Sequence, residues 1–88
     1  KRARQAQART VRNLHVRSTT RGAVRRVRVA CATGNLAQAQ ELLREASRQL
    51  DKAAGKGVLH RNAAARRKSR LARLVASLAK RQAEQNPA

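Results

Sequence analysis

The sequence predicts an all-α fold, a three-helix bundle with a long, partly projecting N-terminal helix. Three observations lead there. Apolar and small residues recur at three- and four-residue steps through three stretches. Glycine-containing breaks at Thr33-Gly34-Asn35 and Gly55-Lys56-Gly57 separate them. The second stretch is shorter than the first, so one end of the first helix, the N-terminal end, has nothing to pack on. The expected helices run over about 3–33, 36–54 and 59–83, in a single domain spanning 1–88.

The first helix carries its buried stripe at Val16, Thr20, Ala23, Val24, Val27, Ala30 and Cys31. Arg17, Arg21, Arg25 and Arg28 fall on a neighbouring face. The run VRRVRV at 24–29 also reads as a strand, because its valines partly alternate with arginines. The helical stripe begins well upstream of that run, which decides for a helix. Gly22 costs roughly 1 kcal/mol against alanine inside a helix, or else lets another backbone approach closely. Gly34 can take the left-handed conformation that ends the helix.

Asn35 is placed to cap the second helix, with Gln38 completing a capping-box pattern. Leu36, Ala39, Leu43, Ala46, Leu50 and Ala53 form its buried stripe, and Glu41, Arg44, Glu45, Arg48, Asp51 and Lys52 its outer face. In the third helix Leu71, Leu74, Val75 and Leu78 share one face, while Arg66, Arg70 and Arg73 share another. Asn86-Pro87-Ala88 is expected to fray. At 1.5 Å per residue the three helices would be roughly 45, 28 and 37 Å long. Short connections make sequential helices antiparallel neighbours.

Charge decides the class of partner. Twenty-two Lys and Arg face four acids, for a net charge of +18. The charge is segregated: residues 1–33 hold ten cations and no acid, 34–57 four cations and three acids, and 58–88 eight cations and one acid. A solvated face mixes signs; the first and third helices do not, so they are read as polyanion-binding. Seventeen of the cations are Arg, which favours forked contacts to phosphate. The chain has no aromatic residue, so stacking on splayed bases has no platform. The core is thin, since nineteen apolar residues are Ala and only nine Leu and seven Val remain. Such a fold leans on its partner for stability.

Other classes find little support. No apolar run approaches the 20 or so residues that span a membrane, and a membrane-active helix would need bulkier residues opposite its cations. Glu41 and Glu45 lack a pocket to shift their pKa values for acid–base work. Cys31 falls on the buried stripe, suits a reducing compartment, and lacks metal-ligand spacing with His15 and His60. No phosphate-loop glycine pattern, metal or cofactor is expected, and no catalysis. His60 and Asn62 either cap the third helix or bond RNA phosphate and sugar beside the basic stripe; the second reading is preferred. A non-specific, histone-like nucleic-acid-compacting protein is the alternative to RNA binding. Beginning at Lys1 rather than Met, the chain is expected to lack an N-terminal piece.

The segment 51–71, DKAAGKGVLHRNAAARRKSRL, resembles the signature of the bacterial-type small-subunit ribosomal protein S-twenty family. Lys1-Arg2, Arg12-Asn13, Arg17-Ser18 and Arg21 resemble its first-helix pattern, and Ala32-Thr33-Gly34-Asn35 its first interhelical turn. The resemblance covers residues 1 to about 80. Departures are Gly22 where Thr is usual, and Arg for many lysines. It implies a three-helix bundle that binds small-subunit ribosomal RNA early in assembly, between the 5′ domain and the long helix near the 3′ end. Few or no protein contacts and no membrane are expected, on a ribosome in a bacterial cytoplasm or a chloroplast stroma. The family contacts carry over to Lys1, Arg2, Asn13, Arg17, Ser18, Arg21 and Arg25, and to His60, Asn62, Arg66, Lys68, Ser69 and Arg70. Neighbouring cations Arg12, Arg26, Arg61, Arg67 and Arg73 complete the candidate RNA-binding set.

Overall fold

The computed structural model describes residues 2–85, with side chains from Ala3 onward. The expected contacts of Lys1 and of the Arg2 side chain, and the expected fraying of 86–88, lie outside the described residues. Three helices follow in order: α1 (Arg2–Thr33), α2 (Leu36–Gly55) and α3 (Arg61–Gln85). The molecule measures 65 × 22 × 14 Å. Both α1 and α3 pack chiefly on α2 and touch each other only along a short stretch. The middle helix therefore props its neighbours apart, as its nearly neutral composition allows.

Each reverse turn is built by a left-handed glycine. Gly34 has φ +80°; its N–H donates to the Cys31 carbonyl at 3.2 Å, and the Asn35 N–H to the Ala30 carbonyl at 3.1 Å. Gly57 has φ +75°, with its N–H on the Ala54 carbonyl at 3.1 Å and the Val58 N–H on the Ala53 carbonyl at 3.0 Å. Both are Schellman motifs, which satisfy helix-terminal carbonyls that would otherwise be orphaned. Gly55 stays inside α2.

The Asn35 side chain caps α2, accepting from the Gln38 N–H at 3.1 Å. The capping box is not reciprocal in the expected way: the Gln38 side chain meets the Asn35 amide at 3.3 Å, because the Asn35 backbone N–H is already committed to α1. Near the far end of α3, the Gln82 amide donates to the Gly34 carbonyl and ties α3 to the first turn. α3 starts at Arg61, two residues later than the periodicity suggests. Val58 and Leu59 both bend their N–H groups back to the Ala53 carbonyl, so neither has entered the helix.

The core follows the predicted stripes. Val16, Thr20, Ala23, Val27, Ala30 and Cys31 of α1 are buried, with Ala39, Ala46, Leu50 and Ala53 of α2 and Leu71, Val75 and Leu78 of α3. Val24, Leu36, Leu43 and Leu74 pack half-buried against it. Ala64 is buried and Leu42 half-buried, although neither belongs to the sequence stripes. Leu50 is fully buried and one of the two largest such side chains. Half of the remaining buried apolar residues are alanine, so the area removed from water per residue is small.

No backbone approaches Gly22. A β-carbon there would meet only the Arg26 guanidinium at 3.7 Å, so the close-approach reading of this glycine is not supported. The expected projection is present: residues 3–12 are all exposed, and the first buried side chain is Val16. Thirteen residues of helix correspond to about 20 Å without a packing partner.

Candidate nucleic-acid interface

Because α1 and α3 splay off α2, a groove runs between them on one side of the bundle. Arg21, Arg25 and Arg28 of α1 and Arg67 and Arg70 of α3 form its walls, while Val24, Leu71 and Leu74 form its floor. It continues into a pocket lined by Arg17, Thr20, Arg21 and Arg67, closed by Ala53, Val58 and Leu59. Six guanidinium groups thus border one concave surface with no carboxylate among the described lining residues. Arg17 lies eleven residue steps from Arg28, about 16 Å along the helix.

The local reason for this arrangement is helical phase. In α1 the buried positions step by three and four, and the arginines lie one residue further on at 17, 21, 25 and 28. In α3 Leu71 and Leu74 face the bundle and Arg67 and Arg70 flank them. The sequence stripe Arg66, Arg70 and Arg73 therefore coincides with the groove only at Arg70. Arg66 and Arg73 are exposed, as are Arg61 and Ser69. Ser18 and Arg26 are likewise exposed on α1, outside the α1–α3 walls. Arg12 and the half-buried Asn13 lie on the projecting part, joined to each other at 3.5 Å.

Of the two readings offered for His60 and Asn62, the structure shows the capping one. His60 Nδ1 accepts the Asn62 backbone N–H at 3.1 Å, capping α3. An imidazole accepting through Nδ1 carries its proton on Nε2, so exposed His60 still offers a donor. The Asn62 side chain has no partner among the described residues and is exposed. Lys68 differs from its neighbours: it is ion-paired at the surface with Asp51 of α2 at 2.8 Å.

The α2 surface is internally neutralised. Glu45 accepts from Gln49 at 2.9 Å and is ion-paired with Arg48. The Gln49 hydrogen bond first, and Arg48 second, hold its carboxyl below the usual carboxylate range. Among the described residues no group of three or more His, Cys, Asp or Glu could hold a metal ion, and no helix is long and apolar enough to cross a membrane. Sequence reasoning left two polar residues of the concave surface out of the candidate set. Arg28 was placed on the right face but not counted as a contact. Thr20 was read only as a small stripe residue; a hydroxyl on an apolar stripe was the available signal.

Comparison with known proteins places the sequence in a family. Residues 1–76 match the family described as Ribosomal protein S20. A protein of Syntrophotalea carbinolica named "Small ribosomal subunit protein bS20" is 52% identical over 75 residues, 85% of this chain and 86% of the relative. A protein of that name from Bordetella avium is 52% identical over 79 residues, 90% of this chain and 91% of the relative. The Salinispora tropica protein of that name is 49% identical over 77 residues, 88% of each. With the family pattern covering most of its length and about half of the aligned residues identical in such relatives, this chain belongs to the Ribosomal protein S20 family.

Proposed function

We propose that the chain is a structural constituent of the small ribosomal subunit that binds small-subunit ribosomal RNA through α1 and α3. The observation that carries this reading is the groove walled by Arg21, Arg25, Arg28, Arg67 and Arg70, in a family whose members are named for that subunit. Arginines on two helices held apart by a third would bridge phosphates of separate RNA strands and pin RNA helices together during assembly. The family resemblance directs those contacts to the 5′ domain and to the long helix near the 3′ end. Readout is of shape, phosphate and 2′-OH, because an A-form major groove does not admit side chains. The protein works without catalysis or cofactor, on the ribosome. The bacterial origin of its relatives favours a bacterial cytoplasm over a chloroplast stroma.

Salt dependence tests the electrostatic core of this proposal. Neutralising about six phosphates should cost roughly 10³ in affinity between 50 and 200 mM salt. Filter retention on small-subunit ribosomal RNA measures it, with duplex DNA as competitor. A nearly flat salt response would refute phosphate binding through the groove. Equal affinity for duplex DNA would favour the histone-like alternative.

A further inference from the structure

We infer that the closed end of the groove is a binding site for a single phosphate group, with the Thr20 hydroxyl as one of its donors. The other three threonines of α1 set the contrast, and the Thr33 hydroxyl donates to the Ala30 carbonyl at 3.0 Å. Thr10 and Thr19 are satisfied by their own helix, each hydroxyl donating to the carbonyl four residues back at 2.9 Å. Thr20 is only 3% exposed, and its hydroxyl has no partner among the described residues. A buried hydroxyl without a partner is expensive, and native proteins complete such groups.

The surroundings say what completes it. Arg17, Arg21 and Arg67 line the same pocket, Val58 and Leu59 help close it, and no described lining residue is acidic. Water would satisfy the hydroxyl but would leave three like charges facing one another across a partly apolar space. An oxyanion answers both needs, accepting from the hydroxyl and from the guanidinium forks. Phosphate is favoured because Arg21 and Arg67 border both pocket and groove, so a strand lying along the groove brings a phosphate to this end. That step rests on the RNA-binding reading. The two sources with this chemistry are an RNA backbone phosphate and free inorganic phosphate.

Thr20→Val tests the site because it removes the hydroxyl, keeps the shape and leaves the net charge unchanged. Thermal melts by circular dichroism are compared in inorganic phosphate and in chloride at equal ionic strength. General salting effects act on both proteins alike and cancel in the difference. Wild type should gain more from phosphate than Thr20→Val does, Thr20→Ser should retain the gain, and the valine variant should start higher in chloride. On small-subunit ribosomal RNA, Thr20→Val should bind about tenfold more weakly, the loss of one charge-assisted hydrogen bond. Loss of the phosphate response with full RNA affinity would identify free phosphate as the occupant. An equal phosphate response in wild type and Thr20→Val overturns the site. If that happens while removal of Arg67 and Arg70 still weakens RNA binding, the groove reading survives; if neither change weakens it, both fall.

Discussion

Changing Arg67 and Arg70 together to alanine is expected to weaken binding to small-subunit ribosomal RNA by at least tenfold, while the bundle stays folded. Both side chains wall the groove opposite Arg21, Arg25 and Arg28, and each charge-assisted hydrogen bond lost is worth roughly 1.5–3 kcal/mol. Alanine keeps helix propensity high, so circular dichroism should be unchanged. The matched control is Arg44→Ala with Arg48→Ala, which removes the same charge from α2, where Arg48 is already paired with Glu45. Long-range attraction falls equally in both variants, and direct contacts are lost only in the first. Equal losses by filter retention at fixed salt would show that total charge alone governs binding.

Leu50→Ala is expected to unfold much of the free protein. Leu50 is fully buried where α2 meets its neighbours, and such a truncation costs about 2–5 kcal/mol. A core in which six of thirteen buried apolar residues are alanine, under a charge of +18, places stability near or below the low end of the roughly 5–15 kcal/mol typical of domains. Helicity should fall sharply in low salt and recover when RNA is added, because binding offsets the loss by mass action. Leu14→Ala is the comparison: Leu14 is 59% exposed on the projecting part of α1, and its loss should shift stability by no more than about 0.5 kcal/mol. A Leu50→Ala protein with wild-type helicity and urea midpoint would refute this account of the core.

How much was legible in the sequence can be read from particular residues. Gly34, Asn35 and the Gly55–Gly57 break were visible because turns and caps depend on local chemistry, and the buried stripes because a helix has a fixed period. Three features were not visible, the first two because they depend on contacts between helices and the third because two N–H groups share one carbonyl in the Gly57 turn. Arg67 rather than Arg66 lines the groove because the placement of α3 on α2 sets which of two adjacent arginines faces α1. Lys68 pairs with Asp51, seventeen residues away, only once α3 lies on α2. The start of α3 moved to Arg61 because the left-handed Gly57 draws Val58 and Leu59 back towards Ala53. The lone hydroxyl of Thr20 belongs with these: its partners, or their absence, are a property of the packed helix.

The seam between α1 and α3 also has a kinetic meaning. Since these two helices scarcely touch, most of the packing joins consecutive segments across short turns, α1 to α2 and α2 to α3. Topologies dominated by such local pairing order themselves in microseconds to milliseconds, and temperature-jump relaxation of the helix signal should fall in that window. Formation of α1–α2 requires nothing from the C-terminal third, so it can precede the synthesis of α3. A chain that reshapes this quickly re-equilibrates many times while a large RNA is still searching among its own pairings. On the proposed RNA-binding reading, the slow partner would set the pace, and the protein would act as a fast-adjusting clamp that stabilises each compatible RNA arrangement as it arises.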